Sequence, residues 1–323
     1  ANFYQRERAT PYSIQYNFGV QHEWKAVLIS TQYVANLGRK LTASGLSLNQ
    51  IRPELVGNLA AQQSRRPFPQ FTGVTAQRLN DGSSHYHALQ MRLEKRFSSG
   101  FQVMANYQWS KLLERRSRLN DLDPYLEKRI AAEDRPHRLV ASGSWEMPFG
   151  KGRKYLASVN GIGNQIIGGW ILNAIVTLQP GAPLGWGNVI YLGGPLNVDA
   201  HNPDRNFDTT QFNRVAAQQL DWNRRTFSSR FSDARSDGVN QLDFSVIKAF
   251  PIHERLNMTF RTEVFNSTNT PIFSAPNPSP ICANVIDFFE KSTAPKSCTS
   301  PSSNQGGGGA FNWRRMRKRK YSM

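Results

Sequence analysis

The stretch LQMRLEKRFSSGFQVMANYQWS, residues 89–110, decides the fold of this chain. Its first half places apolar and polar side chains at alternate positions: Leu89, Met91 and Leu93 against Gln90, Arg92 and Glu94. Successive side chains of a strand point to opposite faces, so this alternation predicts a β-strand with two unlike faces. Ser98-Ser99-Gly100 predicts a tight turn, and residues 101–110 alternate in the same way. The stretch therefore predicts an antiparallel hairpin.

The same alternation recurs along the chain and predicts six more strands, in 12–21, 27–35, 138–147, 170–178, 241–246 and 256–264. With the hairpin this makes eight strands of about 10 residues, close to the length of a tilted membrane-spanning strand. We expect one face to contact lipid through Leu89, Met91, Leu93, Val103, Tyr107, Leu172, Val176, Phe244, Met258 and Phe260. We expect the opposite face to line a lumen with Arg92, Glu94, Asn106, Asp243, Arg261 and Glu263.

The predicted connections alternate between short and long. The short ones are 22–25, 98–100 and 251–254, the long ones are 37–83, 112–136 and 181–238, and 149–168 is intermediate. In a meander this order puts all the long connections at one end of the sheet, as in outer-membrane barrels with long external loops. The predicted fold class is therefore all-β, an antiparallel transmembrane β-barrel segment. Periodicity alone leaves a soluble sheet that buries the same apolar face as an alternative.

Composition limits the other classes of protein. The 323 residues carry 40 Lys and Arg against 23 Asp and Glu, a net charge of +17. No stretch approaches the roughly 18 apolar residues of a membrane helix, which excludes helical spans. A mean hydropathy of −0.53 does not exclude a membrane barrel, because its strands alternate polar and apolar residues. Aromatic residues recur near predicted strand ends, as in interfacial girdles: Tyr12, Trp24, Phe97, Phe101, Trp109, Trp145, Trp170 and Phe250.

Motifs for catalysis and for metal or cofactor binding are weak. His85 and His87 could present two imidazoles on one strand face, but no third ligand is near them in sequence. No nucleophile elbow, zincin motif or P-loop occurs, so we expect neither an enzyme nor a bound cofactor. The two cysteines, Cys282 and Cys298, are compatible with a loop disulfide or with two free thiols.

The C-terminal segment differs from the rest of the chain. A glycine run at 306–309 precedes six cations between Arg314 and Lys320. Such a cluster could bind nucleic acid or anionic lipid, or it could be a solvated tail or sequence foreign to the fold. Removing the six charges leaves 17 − 6 = +11 on the remainder. We therefore predict two regions, a partial barrel in 1–278 and a low-complexity, disordered basic tail in 279–323, with an out-of-frame origin of the tail as one explanation.

Six segments in order resemble the C-terminal barrel region of TonB-dependent outer-membrane receptors, of the Oar-like type found in acidobacteria. They are Tyr86–Phe97, Ala105–Lys111, Asp134–Arg138, Pro148–Arg153, Gly168–Gly181 and Phe260–Phe273. The resemblance runs from about residue 11 to 278. It implies a barrel of about 22 strands, a plug, and uptake energised by the inner-membrane TonB complex.

Eight strands, without a plug or a final aromatic strand, imply a fragment of such a receptor that does not function alone. The resemblance implies a location in the bacterial outer membrane. Its partners would be membrane lipid, the remainder of the barrel and plug, and the TonB complex through the missing N-terminal part; it leaves the transported ligand unidentified. Two other hypotheses stay open, a soluble or secreted all-β binding or adhesion protein and a nucleic-acid-binding protein that uses the basic tail. The favoured interpretation predicts no nucleic-acid partner.

Overall fold

The computed structural model describes residues 1–52, 63–120, 123–186, 190–202, 206–213, 225–253, 256–273 and 275. The predicted tail, with Cys282 and Cys298, lies outside these residues. Among the described residues, no helix has the length and apolar character that a membrane-crossing helix needs.

Among the described residues, fourteen strands, one short α-helix, α1 (Ile162–Ile167), and two 3₁₀ helices (Gln63–Arg65 and Thr209–Gln211) make up the regular structure. Eight strands are long: β2 (Tyr12–Trp24), β3 (Val27–Leu41), β6 (Gly82–Ser98), β7 (Phe101–Arg115), β9 (His137–Glu146), β10 (Trp170–Gln179), β13 (Val239–His253) and β14 (Leu256–Val264). The short ones are β1 (Asn2–Tyr4), β4 (Leu46–Ser47), β5 (Thr75–Gln77), β8 (Arg129–Ile130), β11 (Pro183–Gly185) and β12 (Arg230–Arg235).

The eight long strands form one antiparallel meander in the order β2-β3-β6-β7-β9-β10-β13-β14, and β8 pairs with β7. Each long strand therefore pairs with the long strands that precede and follow it in the sequence. In the described part of the chain, β2 and β14 are the two edges and the sheet does not close on itself. All eight predicted strands are confirmed, as is the antiparallel all-β class.

The connections divide between the two ends of the sheet as predicted. At one end, two-residue turns join β2 to β3 and β6 to β7, and residues 147–169 with α1 join β9 to β10. At the opposite end, which we call the long-loop end, lie the connections 42–81, 116–136 and 180–238. They contribute to two small sheets: β4 and β5 of the connection 42–81 form one with the preceding strand β1, and β11 pairs with β12 within 180–238.

The strands extend further toward the long-loop end than the sequence pattern predicted. The hairpin strands β6 and β7 have 17 and 15 residues rather than about 10. Arg115, which was expected in a long loop, is the last residue of β7. In this part of β6 and β7, His85, His87 and Lys111 stand at positions where the alternation would otherwise place apolar residues. The hydrophobic periodicity therefore ends before the strands do.

The β6–β7 turn shows how local chemistry fixes the register. Ser99 and Gly100 have φ of 54° and 85°, the left-handed pair that a two-residue type I′ hairpin requires. A bulge between Lys95 and Ser98 precedes the turn. Beyond it, thirteen consecutive residue pairs from Ser83↔Arg115 to Lys95↔Val103 remain in register.

The two faces of the meander differ in their surroundings. Large apolar side chains on one face are exposed, including Phe18 (73%), Trp109 (58%) and Phe260 (57%). A cluster of buried apolar residues instead lies in the connection 180–238: Leu184, Trp186, Phe207, Phe212 and Ala234. A sheet with an exposed apolar face and its core in the loops suits a protein surrounded by lipid.

Candidate functional site

The strand register places all sixteen predicted face residues on two faces. Met91 opposes Tyr107 and Val176 opposes Leu242, so the ten apolar candidates share one surface, which we call the apolar face. Arg92 opposes Asn106 and Glu263 opposes Ser245, next to Asp243, so the six polar candidates share the other, the polar face. Which face meets lipid and which meets a lumen stays a prediction.

The polar face forms the wall of an open cavity of about 520 Å³. Polar-face residues of four neighbouring strands line it, namely Ser30, Gln32, Gln90, Arg92, Asn106, Gln108, Arg138 and Val140, together with Met91 and Tyr107. Amides, a hydroxyl and two guanidinium groups can donate hydrogen bonds to a polar solute here. The cavity is thus suited to transient contacts with a hydrated ligand.

Two ion pairs on the polar face each join residues of a single strand. Arg92 Nη2 lies 2.8 Å from Glu94 Oε2, and Arg261 Nε lies 3.5 Å from Glu263 Oε1. Positions i and i+2 of a strand share a face, which brings these side chains together. Asp243 instead accepts hydrogen bonds from the Gln241 side chain and, at 2.7 Å, from the backbone N–H of Asn266.

A network of ion pairs joins the connections 116–136 and 180–238 to the end of β7; we call it the loop junction. At its centre Glu114 Oε1 accepts hydrogen bonds from Arg129 Nε at 2.9 Å and from Arg230 Nη1 at 2.8 Å. Glu114 is 9% exposed. Its carboxylate therefore holds two guanidinium groups in a largely desolvated position, where each lost partner is costly.

Glu127 forms the second connection of the loop junction. Its Oε1 accepts from Ser228 Oγ and from the Ser229 N–H, both at 2.8 Å, and its Oε2 accepts from Ser229 Oγ at 2.6 Å. Burial alone would raise the pKa of Glu127, but the hydrogen bonds from Ser229 and Ser228 and the charge of Arg129 lower it overall. Glu127 thus stays ionised at neutral pH and fixes the turn before β12.

Asp134 forms the third connection. It is 2% exposed, accepts from the backbone N–H of Leu112 at 2.7 Å, and pairs with Arg235 Nη2 at 2.7 Å. Residues Glu133 to Arg135 also line a smaller cavity of about 140 Å³ beside Ser110 and Gln179. The loop junction consequently contacts the polar face at the end of β7.

Aromatic residues of the connection 180–238 pack beside this network. Trp186 lies 4.8 Å from Phe207 and 5.2 Å from Phe212 between ring centroids, and Tyr191 contacts Phe227 and Phe231. Arg225 donates to the Trp186 carbonyl at 2.6 Å, and burial lowers the pKa of Arg225. This cluster gives the connection a core of its own.

Several arginines of the long connections are bonded within the fold. Arg118 pairs with Asp81, Arg116 donates to the Thr42 carbonyl, and Arg230 pairs with Glu114. Sequence reasoning did not identify Glu114 or Glu127. The only sequence signal for Glu114 is its even position in the β7 alternation, which places it on the polar face.

His85 and His87 share a strand face as predicted, but each contacts a different neighbour. Arg39 Nη1 lies 2.9 Å from His85 Nε2, and Tyr33 Oη lies 2.7 Å from His87 Nδ1. Within the described ranges, no group of three His, Cys, Asp or Glu side chains could hold a metal ion.

Comparison with known proteins gives one family match. A family model described as "Outer membrane beta barrel domain" matches residues 1–307. No curated protein matches the sequence.

Several solved structures are similar at low identity, among them the following two. The outer membrane transporter YddB from Escherichia coli shares 11% identity at a TM-score of 0.36, over 83% of this chain and 30% of the other. The ferripyoverdine receptor of the outer membrane of Pseudomonas aeruginosa, bound to ferripyoverdine, shares 11% identity at a TM-score of 0.40, over 80% of this chain and 23% of the other. The chain thus spans under a third of the length of either structure.

Proposed function

The chain belongs to the outer membrane beta-barrel domain family, and on that premise we propose that it forms part of the wall of an outer-membrane active-transport receptor. The family places it in the bacterial outer membrane. The proposed receptor is of the TonB-dependent, Oar-like type, takes up an unidentified ligand, and is energised from the inner membrane through a part of the receptor outside this chain. It is not an enzyme.

One observation carries the proposal: a two-faced antiparallel meander whose three longest connections lie at one end. In outer-membrane barrels such connections are external and carry the ligand contacts, whereas the opposite end has short periplasmic turns. The polar face, with its cavity of about 520 Å³, would line the lumen. The apolar face, with exposed Phe18, Trp109 and Phe260, would meet lipid.

Fractionation tests the membrane part of this proposal. We expect the chain, expressed with a secretion signal in a Gram-negative host, to sediment with outer membranes and to need detergent for extraction. A chain that stays monomeric in the detergent-free soluble fraction would contradict it.

A growth comparison tests the transport part. A strain that lacks the gene encoding this chain and a strain that lacks the TonB complex are grown on the same panel of glycans, peptides and iron chelates. We expect every growth defect of the first strain to occur also in the second. A defect confined to the first strain would show a function that needs no energisation by TonB.

A further inference from the structure

The apolar face changes its chemistry toward the long-loop end. Five basic side chains replace apolar ones there on β3, β6 and β7, and we call them the cationic patch: Arg39, His85, His87, Lys111 and Arg115. The register places them on the apolar face, since Arg39 opposes Tyr12, His85 opposes Leu113, and Lys111 opposes His87. The cationic patch is not part of the transport site proposed above, because that site lies on the polar face.

The cationic patch concentrates like charge without acidic partners. Arg39, Lys111 and Arg115 place three positive charges on this one face, and like charges repel one another. Arg39 Nη1 donates to His85 Nε2 at 2.9 Å. Among the described residues, no carboxylate forms an ion pair with Arg39, Lys111 or Arg115. An external anion would relieve this repulsion.

The order of residues along the strands indicates where that anion comes from. From the end with the short turns toward the long-loop end, β6 first carries Leu93 and Met91 on this face. An aromatic row follows, in which Leu89 lies between Tyr33 and Trp109, and Trp109 is 58% exposed. The cationic patch comes next. Hydrocarbon, aromatic interface and cations in this order match the acyl chains, interface and phosphate groups of a lipid leaflet.

We propose that the cationic patch binds the phosphate groups of the glycolipid in the outer leaflet of the outer membrane. The lipid's acyl chains would lie on Leu89 and Met91, and its phosphates would accept charge-assisted hydrogen bonds from Lys111, Arg115 and Arg39. The proposal goes beyond transport, because it concerns the opposite face of the sheet and needs no transported ligand.

The test measures binding of lipid A to the purified full chain in detergent, by native mass spectrometry. Bis-phosphorylated lipid A is compared with its dephosphorylated form and with phosphatidylglycerol. The variant is the double substitution Lys111→Gln and Arg115→Gln. Its matched control is Arg96→Gln with Arg153→Gln, which removes two exposed cations at the short-turn end of the sheet.

We expect the wild-type chain to prefer bis-phosphorylated lipid A over both other lipids. We expect the Lys111 and Arg115 variant to bind it at least about tenfold more weakly, since two charge-assisted contacts are lost, and the control to bind as wild type. Equal binding of the phosphorylated and dephosphorylated forms, equal binding of phosphatidylglycerol, or an equal loss in the control would overturn the proposal.

The wild-type comparison of the three lipids decides the matter even if the double variant does not fold. None of these measurements uses the TonB complex or a nutrient. A negative result would therefore remove the lipid site and leave the transport proposal to the growth comparison.

Discussion

Individual carboxylates of the polar face differ mainly in what surrounds them. The Glu94 side chain is 31% exposed and has one arginine partner, whereas that of Glu114 is 11% exposed and has two. An exposed pair gains little, because water screens it and its side chains lose freedom. A buried carboxylate between two guanidinium groups balances positive charges that would otherwise be buried without a counter-charge. Replacing Glu94 and replacing Glu114 should therefore change stability by different amounts, although both are glutamates on the polar face.

Substitution of Glu114 tests this difference. Glu114→Gln leaves Arg129 and Arg230 without their shared carboxylate, and we expect a loss of about 3 kcal/mol in the stability of the loop junction. The measurement is limited proteolysis of the connection 180–238 in detergent as a function of urea. Glu94→Gln is the control, with an expected loss below about 1 kcal/mol. Equal protection in both variants would contradict the central role of Glu114.

The pKa of Glu127 predicts an acid-sensitive loop junction. Its folded pKa lies below the usual 4.5, so its stabilisation is complete above pH 4.5 and disappears as the pH falls through the folded pKa. We expect hydrogen exchange at Ser229 and its neighbours to increase below pH 4.5. In Glu127→Gln the same amides should exchange fast at neutral pH and show little change with pH. A wild-type profile in that variant would show that another group titrates.

At the scale of elements, the sequence predicted the strands, which follow a repeating pattern, but not the contacts between residues far apart in the chain. Eight strands, their two faces and the end that carries the long connections all follow from a period of two and from turn residues. The loop junction has no period: Glu127 meets Ser229 102 positions along the chain. The parallel pairing of β1 with β5 across more than 70 residues is equally invisible in either segment alone.

The β6–β7 turn gives a test of one element. Gly100 has φ of 85°, and an added Cβ would lie 3.3 Å from the Glu146 carbonyl oxygen. We expect Gly100→Ala to destabilise the hairpin by about 1–2 kcal/mol, measured as the urea midpoint of detergent-refolded protein. Ser99→Gly at φ of 54° should leave the midpoint unchanged or raise it. A neutral Gly100→Ala would contradict the left-handed turn.

Two adjacent positions of β6 separate the faces of the sheet. Met91 lies on the apolar face and Gln90 on the polar face. We expect Met91→Lys to cost about 2–4 kcal/mol and to lower outer-membrane insertion, because a lysine near the bilayer midplane is desolvated. Gln90→Lys should insert as wild type. The measurement is the heat-modifiable folded fraction on gels, and the reverse ranking would exchange the lipid and lumen assignments.

At the scale of the whole molecule, charge is distributed unevenly. Six of the net 17 positive charges lie between Arg314 and Lys320, outside the described residues. In the remainder, the loop junction neutralises Arg129, Arg230 and Arg235, while the cationic patch stays without acidic partners among the described residues. The molecule therefore combines an internally balanced polar face with a basic region on the apolar face.

Deletion of residues 306–323 tests whether the barrel needs the basic C-terminal segment to reach the outer membrane. We expect the shortened chain to fractionate with outer membranes as the full chain does, because the meander supplies the apolar surface. The companion measurement is DNA binding at low and high salt. A salt-sensitive DNA affinity that disappears with the deletion would support the nucleic-acid hypothesis instead.

The loop junction also sets an order of assembly. Each hairpin of the meander brings together residues that are close along the chain, whereas Glu114 and Arg230 are 116 positions apart. Closing so long a loop costs conformational entropy. This cost falls once the intervening strands have paired, so we expect contacts between distant residues to form late. We therefore expect strands β7, β9, β10 and β13 to pair first and the loop junction to close after them. Folding of this chain should therefore show a slow final phase that is reported by Trp186 in the loop cluster and not by Trp109 in the sheet.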